Sequence, residues 1–122
     1  MIAADCLKMY AQGWAQGDEG TIINALADEY VLDDPNAGKI SRNKIAEYLE
    51  GMKQIVSGML NDQLPVPLLD LTEIVTREEA GVITAWAWWT VPGTELMGGG
   101  LIKVGAKGVV SEVLTYYTKL PV

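Results

Sequence analysis

Asp34 and Tyr10 are the residues whose types and spacing best suit chemistry in this chain. Asp34 belongs to the segment Leu32-Asp33-Asp34-Pro35-Asn36 and lies 24 residues after Tyr10. A carboxylate at the end of a short apolar strand, facing an apolar pocket, has its charged form disfavoured and becomes a stronger base. A phenol reaching the same pocket can donate a hydrogen bond to an oxygen on which charge develops. Together they suit removal of a proton from a carbon next to a carbonyl. If the segment is extended, alternation turns Tyr30, Leu32 and Asp34 to one side and Val31 and Asp33 to the other. Asp34 before Pro35 is equally a good turn-former, and Tyr10 a good core aromatic, so each also has a purely structural reading.

Composition removes most other chemistries. The chain has no histidine and one cysteine, Cys6. That excludes serine–histidine and cysteine–histidine catalysis, an internal disulfide and a cysteine zinc site, so no metal and no cofactor is expected. Cys6 reads as a small buried hydrophobe. A net charge of −7, with only 9 Lys and Arg scattered singly, argues against nucleic acid and anionic membranes as partners. Asp5 and Lys8 interrupt the apolar N-terminus, and no run reaches membrane-spanning length, so a cytoplasmic location is the default expectation. With 122 residues, 49% of them hydrophobic, residues 1–122 are expected to form one domain burying ~65% of the unfolded surface.

Helices come first in the chain and strands afterwards. Ala3, Leu7, Tyr10, Ala11 and Trp14 recur at helical spacing until Gly17. Asp18 suits the N-cap of a short second helix with Ile22, Ile23 and Leu26 inward. A strand over Tyr30–Asp33 should follow, ended by a turn at Asp34-Pro35-Asn36-Ala37-Gly38. Ser41 is expected to cap a third helix whose inner face carries Ile45, Tyr48, Leu49, Met52 and Val56. Beyond Pro67, three turn signals divide the chain into strand-length pieces: Leu68–Arg77, Val82–Val91, Thr94–Val104 and Val109–Lys119. Connections this short imply an antiparallel meander, and helices packed on one face of it make an α+β fold.

This order resembles the cone-shaped nuclear transport factor 2-like superfamily, which includes polyketide-cyclase-like (SnoaL-like) proteins and ketosteroid isomerases. The resemblance spans nearly the whole chain. It rests on Tyr10 with Gly17-Asp18, on Leu26-Ala27-Asp28-Glu29 as a helix end, on Asp34-Pro35, and on Gly108-Val109-Val110 leading to Tyr116-Tyr117. It implies a curved antiparallel sheet, a cystatin-like roll, with three N-terminal helices in its concave face. The nearest motif match is to ketosteroid isomerase, where the aspartate of an acidic-Asp-Pro sequence is the general base, matching Asp34. The family's oxyanion-binding tyrosine stands eight residues before a Gly-Asp aspartate, as Tyr10 stands before Asp18. Its second oxyanion donor, a protonated aspartate on the penultimate strand, aligns near Gly100, where Gly98-Gly99-Gly100 offers no acid. Losing one such donor typically costs ~3 kcal/mol, or ~100-fold or more in rate.

The function expected is binding of a small hydrophobic, carbonyl-bearing molecule in an internal cavity, with proton transfer by Asp34 and Tyr10. Trp14, Tyr30, Leu49, Met52, Trp86, Trp88, Tyr116 and Tyr117 are the expected ligand-facing residues. Alternation places Trp86 and Trp88 on one strand face and Trp89 on the other, so a homodimer is expected to cover the face that carries Trp89. The alternative is a non-catalytic dimerisation or partner-binding module of the same fold.

Overall fold

The computed structural model describes residues 2–118. Helix α1 runs over Ala3–Gln16, α2 over Glu19–Asn24 and α3 over Ile45–Met59. The strands are β1 Leu26–Asp34, β2 Gly38–Ser41, β3 Asp70–Glu79, β4 Val82–Thr90, β5 Met97–Gly105 and β6 Gly108–Tyr116. They form one open sheet in the order β2-β1-β6-β5-β4-β3. Strands β3 to β6 make the antiparallel meander that their short turns require. Strand β1 is antiparallel to β2 but parallel to β6, so the sheet is mixed rather than wholly antiparallel. The architecture is α+β, as expected.

Local signals account for most boundaries. Gly17 ends α1 in the left-handed region (φ 66°), where a glycine carries no steric penalty, and Asp18 N–H bonds Gly13 O at 2.9 Å. The Asp18 carboxylate then caps α2, accepting from the N–H groups of Gly20 and Thr21. The turn after β1 is held by Asp34, whose Oδ1 accepts from Asn36 N–H at 2.8 Å.

Three expectations are corrected. Helix α2 stops at Asn24, and residues 26–29, expected to end it, open β1 instead. Pairing of Leu26 with Val109 and a bond from Val109 N–H to Ala25 O decide this, and both lie far away in sequence. Ser41 makes no capping bond to α3; its hydroxyl meets Asn43 Oδ1, and the chain enters α3 through a 3₁₀ turn over Arg42–Lys44. Strand β2 was not expected, because Gly38–Ser41 has no alternation of its own. Lys119, the expected end of the last strand, lies outside the described residues.

Helix α1 lies across β3 to β6 on the inner sheet face. The buried cluster joins its stripe of Ala3, Leu7, Tyr10 and Trp14 to Tyr30 and Leu32 of β1, Ile45, Leu49 and Val56 of α3, and the inward residues of β4 to β6. Among the described residues no helix is long and apolar enough to cross a membrane.

Candidate functional site

Between the helices and the inner sheet face lies a cavity of about 460 Å³. Tyr10, Trp14, Met52, Ile55 and Val56 line it from the helices, and Leu32, Ala87, Trp89, Ile102 and Leu114 from the sheet. Among the described residues Asp34 and Glu112 are its only carboxyl groups, and no Lys or Arg lines it. The walls are otherwise almost wholly aliphatic and aromatic.

Asp34 occupies one part of the wall. Tyr30, Leu32 and Asp34 do share the inner face of β1, and Asp34 is only 3% exposed. Three donors serve its carboxylate: Asn36 N–H at 2.8 Å, Tyr48 hydroxyl at 2.5 Å and Tyr116 hydroxyl at 3.0 Å. Burial, then the hydrogen bond to Asp34, pushes the Tyr48 hydroxyl far above the ordinary phenol range. Burial and the nearby Asp34 charge push Tyr116 up to about 12. Both phenols therefore stay protonated and act as donors. Asp34 thus holds the turn and also lines the cavity.

Tyr10 does not meet Asp34. Its hydroxyl donates to Glu112 Oε1, and it lies 2.7 Å from the hydroxyl of Tyr30. Glu112 is 6% exposed, and burial, countered in part by the Tyr10 bond, raises its acid to about 7. Burial, reinforced by the Glu112 charge, also raises both tyrosines well above the usual range. Because Glu112 stands opposite Leu32 in the parallel β1–β6 pair, Asp34 is one inward position further along. Strand geometry then puts the two acids' Cα atoms roughly 8 Å apart.

Gly100 makes room for this second acid. A Cβ built there would fall 1.9 Å from Glu112 Oε2. The glutamate thus fills, from β6, the place that a side chain at position 100 of β5 would take. Sequence reading passed over Glu112, although a signal existed: alternation puts it on the face of Leu114 and Tyr116, opposite the glycine run.

The expected ligand-facing set divides in three. Trp14, Met52 and Tyr116 line the cavity together with Tyr10 and Asp34. Tyr30 and Leu49 are buried behind the wall. Trp86, Trp88 and Tyr117 do not line it: Trp86 and Tyr117 are 46% and 59% exposed, and Trp88 shares the outer face of β4 with Trp86. The alternation on β4 holds, but its faces are reversed, for Trp89 points inward with Ile83, Ala85 and Ala87. Ala85 and Ala87 lie on the buried face of β4, and the half-buried Thr84 and Thr90 mark the other side as the outer one. Trp89 packs edge-on against Tyr116 with ring centroids 5.5 Å apart, as Trp14 does against Tyr48 at 6.2 Å. Among the described residues the indole N–H groups of Trp14 and Trp89 have no partner. Neither a metal-binding cluster nor an ion pair to either carboxyl is present among them.

The sequence matches no protein-family model and no curated protein. Solved structures are similar to it in fold. Three of them bear the designation "putative polyketide cyclase". The one from Xanthomonas campestris pv. campestris is 18% identical with a TM-score of 0.62, over 92% of this chain and 87% of that one. The one from Pseudomonas putida KT2440 is 15% identical with a TM-score of 0.62, over 98% and 93%. A cystatin-like fold protein from Burkholderia xenovorans LB400 is 14% identical with a TM-score of 0.66, over 96% and 90%. The chain therefore has the nuclear transport factor 2-like, cystatin-like fold that these proteins share.

Proposed function

We propose that this protein binds a small, uncharged, hydrophobic molecule carrying a carbonyl group and moves a proton on it. The observation that carries this reading is the cavity itself: apolar walls, no cationic side chain, and two carboxyl groups set apart. Among the described residues an anionic ligand would meet two acidic side chains and no cationic one, whereas a neutral carbonyl compound avoids that repulsion. In the reaction Asp34 takes a proton from the carbon beside the carbonyl. The C–H electron pair becomes a C=C bond and the carbonyl π pair moves onto the oxygen, which faces the end of the cavity holding the Tyr10 hydroxyl; Asp34 then returns a proton to carbon and the carbonyl re-forms. The designation of structural neighbours as "putative polyketide cyclase" agrees with a small-molecule ligand.

The test is deuterium uptake into the methyl group of 2-acetylnaphthalene in D₂O, followed by NMR. Wild type should accelerate exchange above the buffer rate, and Asp34→Asn should lose at least tenfold of that acceleration while still binding the ketone. Binding without any acceleration would leave a carrier, not an enzyme.

We also propose that the protein is a homodimer, through the face opposite to the one sequence alternation first suggested. On the outer sheet face Val75, Trp86, Leu101 and Val113 form one apolar row across β3 to β6. Arg77 and Lys103 lie in the row on one side, and Glu73 in the row on the other. A two-fold axis along the apolar row stacks it on its own copy and brings those basic residues over the partner's acidic row.

A further inference from the structure

Glu112 is a buried acid without a cation, and its two oxygens differ. Oε1 accepts from the Tyr10 hydroxyl. Each hydroxyl has one proton, so when Tyr10 donates to Glu112, Tyr30 must donate to Tyr10 across their 2.7 Å contact. The phenol protons of Tyr10 and Tyr30 are then committed. Oε2 has no hydrogen-bond partner among the described residues, lies over Gly100, and belongs to a residue lining the cavity. The groups facing Glu112 are Tyr10 from α1 and Tyr30 from β1; β5 offers only Gly100 and Ile102, and Asp34 with Tyr48 and Tyr116 lies further along the cavity.

We propose that Glu112, as the neutral acid, is the group that donates a hydrogen bond to the ligand's oxygen, through Oε2. Tyr10 acts as a positioning residue: it holds Oε1, and so turns Oε2 into the cavity. This rests on the cavity being a ligand site, and deepens it by naming the donor. It also restricts the ligand further. The oxygen must be an uncharged acceptor, since a carboxylate placed there would repel Glu112 once that acid ionises. Gly100 has a specificity role of its own, because any larger residue would fill the place that Oε2 occupies.

Three probes separate the claims: 2-acetylnaphthalene, its oxygen-free counterpart 2-ethylnaphthalene, and 2-naphthoate, each measured by equilibrium dialysis at pH 6 and pH 9. In wild type the affinity ratio of ketone to hydrocarbon should fall about tenfold between pH 6 and pH 9, one hydrogen bond's worth. 2-Naphthoate should bind more weakly than the ketone at both. Glu112→Leu should lower the pH 6 ratio about tenfold while keeping hydrocarbon binding. Glu112→Gln, which keeps an N–H donor that does not titrate, should keep the ratio and lose its pH dependence. An unchanged ratio in Glu112→Leu, or a retained pH dependence in Glu112→Gln, overturns the role of Glu112 and leaves the cavity reading standing. If wild type binds neither neutral naphthalene, the cavity reading itself fails and this assignment falls with it.

Discussion

Gly100 and Glu112 behave as one unit spread over two strands. Adding a single methyl at Gly100 places carbon 1.9 Å from Oε2 and 2.9 Å from the carboxyl carbon, so the acid must swing away. Gly100→Ala is therefore expected to reproduce the loss of ketone preference seen in Glu112→Leu, with a native circular dichroism spectrum. The acid should also be visible in stability. Its folded-state value of about 7 lies above the ordinary 4.5, so between those pH values the native state binds more protons than the unfolded one. The contribution is fully present below pH 4.5 and is lost as pH rises through about 7, on the order of 3 kcal/mol at most. Urea unfolding at pH 5 and pH 8 should show wild type losing more stability with rising pH than Glu112→Gln does. Parallel pH profiles would mean that Glu112 is ionised across the whole range.

Elements hold the site through a few close approaches. Helices α1 and α2 meet at Gly13, where a Cβ would stand 2.8 Å from the backbone nitrogen of Ile22. A backbone atom cannot step aside as a side chain can. Gly13→Ala, which raises helix propensity by about 1 kcal/mol, should nonetheless lower stability by a net 1–2 kcal/mol or so. Thermal or urea unfolding measures this directly. The expected shift would carry α1, and Tyr10 with it, away from the sheet, so ketone binding should weaken in the same variant. Strand β4 shows another feature: Ala85 and Ala87 are small residues on its buried face, Ala87 lining the cavity, and Trp89 closes that cavity beside Tyr116.

For the whole molecule, the inner sheet face is covered by helices and the outer one is open. Trp86 at 46%, Val75 at 50% and Val113 at 44% exposure form a continuous apolar row that water alone would cover in a monomer. Sedimentation should give a dimer at micromolar concentration, and Trp86→Lys should give a monomer with its cavity intact. A monomeric wild type would remove the dimer and leave the ligand site untouched, since no cavity-lining residue belongs to that row.

The sequence by itself determined what short-range physics can decide. Gly17 and Asp18 end one helix and start the next, turn residues divide the second half into antiparallel strands, and alternation aligns Tyr30, Leu32 and Asp34. From these the α+β fold and the inward acid of β1 were legible. Only the tertiary structure decided what depends on partners distant in sequence. Residues 26–29 are strand because β6 pairs with them, and Trp89 rather than Trp86 is inward because the covered face of β4 is the one that carries Ile83, Ala85 and Ala87. Tyr10 serves Glu112 rather than Asp34, since Gly100 leaves an opening that a glutamate on the neighbouring strand can fill. Periodicity says which residues share a face; it cannot say which face is covered, or which two side chains meet beneath the cover.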